Sequence, residues 1–137
     1  MSKLFSTATR QFIALRADYR CEYCKKPEII SNFSFHIEHI IGRQHGGSDL
    51  IENLAYCCSY CNWKKGPNIG TVLSEKDPII PLFNPRKNNW SDHFSVTPNG
   101  LIVAKTEIGE GTLRLLEFNG LERIMERQEL INLGFYP

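Results

Sequence analysis

Residues 35–66 read FHIEHIIGRQHGGSDLIENLAYCCSYCNWKKG, and this stretch decides the fold. Two short apolar runs, at residues 35–41 and 54–57, are separated by a polar loop that contains Gly46 and Gly47. After the second run the pattern becomes typical of a helix. The stretch therefore predicts a strand, a glycine-containing loop, a second strand and a short helix, in that order.

Polar residues within this unit are hard to explain as ordinary surface. Glu38 and His39 are adjacent inside the first apolar run, so at least one of them is expected to lie beside buried surface, where a carboxylate needs a partner. Asn62 follows a cysteine pair at the start of the predicted helix. Folding of the unit would bring these three side chains to one end, which is typical of a catalytic site.

Two cysteine pairs flank the strands, CEYC at residues 21–24 and CSYC at residues 58–61, with 33 residues between them. They predict one structural zinc ion per chain, with reduced buried thiols as the alternative. The usual separation of such pairs is about 15–20 residues, and the longer separation here leaves room for both strands. The odd number of five cysteines argues against a disulfide framework, and Cys57, which fits neither pair, is predicted to be a buried free thiol.

These motifs resemble those of the HNH endonucleases, in the branch that carries a zinc site. The matching positions are Glu38 with His39, then Asn53, then Asn62 in CNWKKG. The resemblance covers residues 21–66 and implies an α+β fold with a small ββα-metal nuclease core. It also implies metal-dependent hydrolysis of DNA phosphodiester bonds, with products that carry 5′-phosphate ends. The tail, through PLFNPR and WSDHF, resembles the C-terminal part of a bacterial subgroup of these proteins.

Each matching residue has a predicted role. His39 is the candidate general base, because a neutral histidine, with an unperturbed pKa of about 6.5, accepts a proton at neutral pH. Glu38 and Asn62 offer oxygen ligands suited to Mg²⁺ or Mn²⁺. The resemblance assigns the same roles, and it implies that Asn53 holds the loop and orients His39 through a backbone contact. His36 shares a strand face with Glu38, which leaves open whether it is an additional metal ligand or a partner of one.

Double-stranded DNA is the expected partner, although the net charge of the chain is only +1. Binding must then come from the local placement of charge. The half of the chain that contains the motif has the weak positive bias, with 9 Lys and Arg against 6 Asp and Glu in residues 1–70. The candidate phosphate contacts are Arg43, His45, Lys64 and Lys65. A solvated loop is an equal alternative for Arg43 and His45, and Trp63 is expected to cover the core.

The remaining segments are expected to support this core within one domain of residues 1–137. A first helix, capped by Ser6 or Thr7, is predicted to end near Asp18, with Ala8, Phe12 and Leu15 on its core face. Residues 67–137 are predicted to form an extension packed on the core. It consists of a wrapping segment with an apolar patch at 79–83, a hairpin turning at 98–100, a short helix around 113–118 and a last helix from about 119 that stops at Gly134.

Two classes of function remain open at this point. One is the endonuclease, and the other is a non-catalytic zinc-ribbon module that binds nucleic acid or protein. No segment approaches the roughly 18 apolar residues needed to span a membrane, and no export signal is present, so a cytoplasmic location is expected. The sequence leaves open whether the protein forms a homodimer.

Overall fold

The fold is α+β, as predicted, and within the described residues it combines five α-helices with three small antiparallel sheets. The computed structural model describes residues 5–137. The helices are α1 (Thr7–Arg16), α2 (Ser59–Lys65), α3 (Trp90–His93), α4 (Glu107–Leu115) and α5 (Leu121–Leu133). The strands are β1 (His36–His39), β2 (Leu54–Cys57), β3 (Gly70–Thr71), β4 (Ile80–Pro81), β5 (Phe94–Val96) and β6 (Ile102–Ala104), paired in sequence order as β1–β2, β3–β4 and β5–β6.

The predicted strand–loop–strand–helix unit is formed by β1, β2 and α2. In the antiparallel register of β1 and β2, Glu38 is opposite Ala55 and His39 is opposite Leu54. Cys58 follows β2 directly, and its sulfur accepts a hydrogen bond from the backbone N–H of Cys61 at 3.4 Å, which caps α2. The second cysteine pair therefore also starts the helix.

Helix α1 lies where the sequence predicted it, but it presents a different face to the core. The Ser6 hydroxyl accepts a hydrogen bond from the backbone N–H of Thr9 at 3.1 Å and so caps the helix. Phe12 and Leu15 are exposed, whereas Ile13 and Ala14 are buried. The predicted core face was wrong, because the helix packs on β2 with Ile13 and Ala14 as its buried residues.

Aromatic rings connect the β1–β2 unit with the C-terminal extension. The ring of Phe83 contacts those of Tyr23 and Phe94, with centroid separations of 6.4 and 5.6 Å, and Phe94 in turn contacts Phe118 at 5.5 Å. All four side chains are almost completely buried. Of the predicted apolar patch at 79–83, Leu82 and Phe83 are buried, but Ile79 is exposed.

The extension forms its elements close to the predicted positions. Strands β5 and β6 make the predicted hairpin, and Gly100 in its turn has a φ of +85°, a conformation that favours glycine. Helix α5 ends at Gly134, which has a φ of +81° and is a left-handed cap. Helix α4 begins earlier than expected, at Glu107, because the Thr106 side chain caps it by accepting the Gly109 N–H. Among residues 5–137, no helix has the length and apolar character required to span a membrane.

Candidate active site and metal centre

The four cysteines of the two CxxC pairs form one buried cluster. The sulfurs of Cys21, Cys24, Cys58 and Cys61 all lie within 4.8 Å of one another. Cys24 and Cys58, one from each pair, have their sulfurs 3.8 Å apart. Cys57 is completely buried, as predicted, and is not part of the cluster.

The cluster fits a tetrahedral zinc ion. Four thiolates at a Zn–S distance of about 2.3 Å lie about 3.8 Å from one another, which is the separation of Cys24 and Cys58. Hydrogen bonds within the cluster lower the pKa of the Cys24 and Cys58 thiols, whereas burial raises the pKa of the Cys21 and Cys61 thiols. A bound metal would favour the thiolate form of all four, because the thiolate is the form that ligates it. Because all four cysteines are buried, the cluster is suited to a closed, structural site.

His39, the candidate base, makes a close contact with a carboxylate that the sequence analysis did not identify. Its Nε2 lies 2.7 Å from Oδ1 of Asp49, and Arg43 donates to both oxygens of the same carboxylate at 3.1 Å. Hydrogen bonds from His39 and Arg43 hold the pKa of Asp49 below its ordinary value, so the carboxylate is ionised at neutral pH. An ionised carboxylate only accepts hydrogen bonds, so Nε2 carries the proton and Nδ1 is the nitrogen that can accept one.

Asn53 stabilises the loop that follows His39 through hydrogen bonds. Its side chain accepts a hydrogen bond from the Ile41 N–H at 2.9 Å and donates to the carbonyls of Ile41 and Ser48 at 2.9 and 2.8 Å. Its backbone carbonyl accepts from the Ile40 N–H at 2.8 Å. These contacts place Asn53 at the loop, as the resemblance implied, while its effect on His39 stays a prediction.

Gly47 packs closely against the Ile41 carbonyl and the Asn53 side chain. A β-carbon at residue 47 would come within 1.7 Å of the Ile41 carbonyl oxygen and 3.0 Å of the Asn53 amide nitrogen. No side chain can be accommodated there without displacing the backbone that leads out of β1. Glycine is thus required at residue 47 by close packing of the loop on the strand.

Glu38 points the other way, into a buried polar cluster. Its carboxylate accepts a hydrogen bond from the Tyr23 hydroxyl and lies 3.2 Å from the Lys65 ammonium group. Lys65 also donates to the carbonyl of Ile40 at 3.0 Å. Burial raises the pKa of Glu38, and the charge of Lys65 opposes that shift. Burial, followed by the charge of Glu38, also raises the pKa of Tyr23, which keeps its hydroxyl as a donor.

The other predicted metal ligands lie on neighbouring elements. Asn62 is half-buried on α2, and its backbone carbonyl accepts the Gly66 N–H at 3.1 Å at the end of that helix. His36 is exposed on β1, and its Nε2 lies 3.0 Å from the Ser59 hydroxyl. In residues 5–137, the four cysteines are the one group of three or more Cys, His, Asp or Glu side chains close enough to hold an ion together. The roles predicted for His36, Glu38 and Asn62 as metal ligands therefore stay predictions.

The predicted phosphate contacts differ in their accessibility. Arg43 is exposed and paired with Asp49, while His45 lies 3.1 Å from the carbonyl of Pro67. Lys64 pairs with Glu117 at 2.9 Å. Lys65 is only 1% exposed, so the structure does not support it as a phosphate contact. The sequence around Lys65 is that of a solvated lysine, because its partner, Glu38, lies 27 residues earlier in the chain.

Trp63 is also placed differently from the prediction. It is 72% exposed, with the ammonium group of Lys64 4.5 Å from its ring centre. The expectation that Trp63 covers the core was wrong, because Cys61 and Lys65 occupy the inner face of α2. Trp63 instead forms part of the outer surface of the helix.

Part of the chain matches a known protein family. Residues 21–68 match the family model described as HNH endonuclease. The match confirms the resemblance over the segment that contains both cysteine pairs, β1, β2 and α2. This segment is thus similar to the HNH endonuclease family, and it contains the four-cysteine cluster. No curated protein matches the chain, and no solved structure matches it either.

Proposed function

We propose that the protein is a metal-dependent endonuclease that hydrolyses phosphodiester bonds of double-stranded DNA. The observation that carries this proposal is the His39–Asp49 contact of 2.7 Å within the segment that matches the nuclease family. A binding module needs no such pair, whereas hydrolysis needs a group that takes a proton from the attacking water. The His39 side chain is 17% exposed, so solvent and substrate can reach it.

In the proposed reaction, Nδ1 of His39 takes a proton from water, and the Asp49 carboxylate stabilises the imidazolium that forms. Asp49 is itself held by Arg43, which limits the orientations of the imidazole ring. Asn53 fixes the backbone immediately after His39 through its contacts with Ile41. The chain thus supplies a base in His39 and a group that orients it in Asp49. Asn53 stabilises the backbone that follows the base.

A divalent cation, Mg²⁺ or Mn²⁺, is proposed to be held by Glu38 and Asn62, with His36 as a further candidate. When bound, it would stabilise the negative charge that develops on the phosphodiester. The oxygen donors are of the right chemical type, and β1 and α2 are in contact. The Glu38 carboxylate is, however, already paired with Lys65 and Tyr23. A cation at Glu38 therefore competes with the Lys65 ammonium group, and we expect weak affinity for it.

The pairing of Glu38 with Lys65 favours a second candidate function. If Glu38 serves only to neutralise buried Lys65, the unit retains the scaffold of the family without a cation site. The protein would then be a zinc-ribbon module that binds nucleic acid or another protein without cutting. The His39–Asp49 pair favours the endonuclease, and the Glu38–Lys65 pair favours the binding module.

A plasmid-nicking assay separates these functions. Zinc-loaded protein is incubated with supercoiled DNA with and without Mg²⁺ or Mn²⁺, and His39→Ala is assayed beside it. The endonuclease predicts cation-dependent nicks that the variant does not make. Gel-shift binding without nicking at any cation concentration would favour the module instead. A minor contaminating nuclease is excluded if the activity is lost in His39→Ala protein purified in the same way.

A further inference from the structure

An arginine from the C-terminal extension reaches the cysteine cluster. Arg123, on α5, has its Nη2 3.2 Å from the sulfur of Cys61 and 4.0 Å from that of Cys58. It lies 62 residues after Cys61 in the chain and outside the segment that matches the family. The contact therefore belongs to this chain's own extension.

The guanidinium group is held in place from several sides. Its Nη1 donates to the carbonyls of Leu116 and Glu117 at 2.8 and 3.2 Å. The group also lies over the ring of Tyr60, with 4.3 Å between its central carbon and the ring centre. Because both terminal nitrogens are hydrogen-bonded and the group packs on Tyr60, the donor directed at Cys61 has little freedom to turn away.

Charge explains why a cation is favourable at this place. Four thiolates around one Zn²⁺ leave a net charge of about −2 in a buried site. Buried charge is costly unless it is paired and hydrogen-bonded. A guanidinium group keeps its charge at any physiological pH, and its N–H groups can donate to sulfur. Arg123 meets both requirements for the Cys58–Cys61 pair.

The extension also contacts the other cysteine pair. The hydroxyl of Tyr136, near the C-terminal end of the described chain, donates to the backbone carbonyl of Cys24 at 2.8 Å in a buried position. Arg123 and Tyr136 thus approach the cluster from the same segment, but on different pairs. Arg127, between them in sequence, lies with its guanidinium carbon 5.8 Å from the Tyr136 ring centre.

We infer that Arg123 is a positioning residue of the zinc centre, which holds the Cys58 and Cys61 thiolates and slows the release of the metal. The C-terminal extension is then part of the metal centre and not only a cover for the core. The inference depends on zinc binding and not on nuclease activity, so it stands even if the protein does not cut DNA.

The test is the rate of zinc transfer from loaded protein to a chromogenic chelator. Arg123→Gln is expected to release zinc about 10- to 100-fold faster, the usual effect of losing a hydrogen bond to a metal ligand. Arg123→Lys keeps the charge but loses the planar arrangement of N–H donors in the guanidinium group, so an intermediate rate of zinc release is expected. Arg114→Gln is the matched control, because Arg114 is exposed and pairs with Glu110 on the surface of α4.

A spectroscopic measurement distinguishes this role from a general loosening of α5. With Co²⁺ in place of zinc, the sulfur-to-metal charge-transfer band should move to longer wavelength in Arg123→Gln, because thiolates that lose a hydrogen bond give up electrons more readily. An unchanged band together with a parental release rate in Arg123→Gln would overturn the inference. If Arg123→Gln does not fold, Arg123→Lys decides, since zinc release at the parental rate from that variant also overturns it.

Discussion

Oε1 of Glu38 lies 3.2 Å from Nζ of Lys65, and the two side chains retain 6% and 2% of their exposure. Removing one member of such a buried pair leaves the other charge without a partner, which typically costs about 3–5 kcal/mol. We therefore expect Glu38→Ala and Lys65→Met each to lower the free energy of unfolding by about this amount. The double variant Glu38→Ala with Lys65→Met should lose much less than the sum of the two single variants.

Urea unfolding of the four proteins provides the double-mutant cycle. Glu110→Ala is the control, because it breaks an exposed i,i+4 pair with Arg114 and should cost less than about 0.5 kcal/mol. If Glu38→Ala unfolds at the parental urea concentration, the carboxylate is not a structural partner of Lys65. Its predicted role in binding a cation would then be favoured.

Gly47 should not tolerate a side chain. A β-carbon there would lie 1.7 Å from the Ile41 carbonyl oxygen, so Gly47→Ala must displace the loop or the end of β1. We expect a loss of at least about 1–3 kcal/mol in the free energy of unfolding, the usual cost of overpacking. Gly42→Ala is the control, since nothing lies within 4 Å of a β-carbon there and its φ is −65°. Thermal unfolding of both variants is the measurement, and equal melting temperatures would contradict the packing described for the loop.

The zinc centre should be required for folding. Cys24→Ser removes one of the four thiolates and is expected to abolish tight zinc binding and the cooperative thermal transition, because the metal contributes folding free energy directly. Cys57→Ala is the matched control, since Cys57 is equally buried but lies outside the cluster. Elemental analysis and circular dichroism of the two variants test this. A Cys24→Ser protein that keeps its zinc, or melts like the parent, would exclude the proposed centre.

Local signals in the sequence were sufficient to predict several elements. The hairpin turn at Gly100 and the end of α5 at Gly134 follow from glycines that adopt positive φ. The Ser6 cap likewise sets the start of α1. The zinc cluster follows from the spacing of four cysteines, whose chemistry does not depend on the surrounding fold. Such features are determined by a few adjacent residues, which is why they can be read without a structure.

Features determined by distant partners were missed. Lys65 has the sequence environment of a surface lysine, and only the pairing of α2 with β1 shows that Glu38 neutralises it in the interior. Asp49 contacts His39 from ten positions further along the chain, in a loop that has no periodicity to reveal the contact. Arg123 comes from an extension with no motif that points to the cysteines. In each case a charge meets its partner through tertiary contacts alone.

The His39–Asp49 pair allows a test of the proposed mechanism that does not depend on the cation. His39→Ala should keep its zinc and its fold while losing about 10²- to 10⁴-fold in cleavage rate, the typical contribution of a general base. Asp49→Asn retains a hydrogen-bond acceptor for Nε2–H but not the negative charge, so a smaller loss of about 10- to 100-fold is expected. Glu52→Gln, at an exposed acid in the same loop region, is the control and should cut at the parental rate.

The pH dependence of cleavage tests the role of the Asp49 charge. Interactions with His39 and Arg43 lower the pKa of Asp49, so this carboxylate stays ionised from neutral into weakly acidic solution and loses its charge only at lower pH. Its contribution to the cleavage rate should therefore be present near neutral pH and be lost as the pH falls through the lowered pKa. The measurement is the ratio of the parental cleavage rate to that of Asp49→Asn, which we expect to stay constant across the weakly acidic and neutral range. If the two proteins cut at the same rate near neutral pH, or if added Mg²⁺ relieves the defect of His39→Ala, His39 is not the base that Asp49 supports.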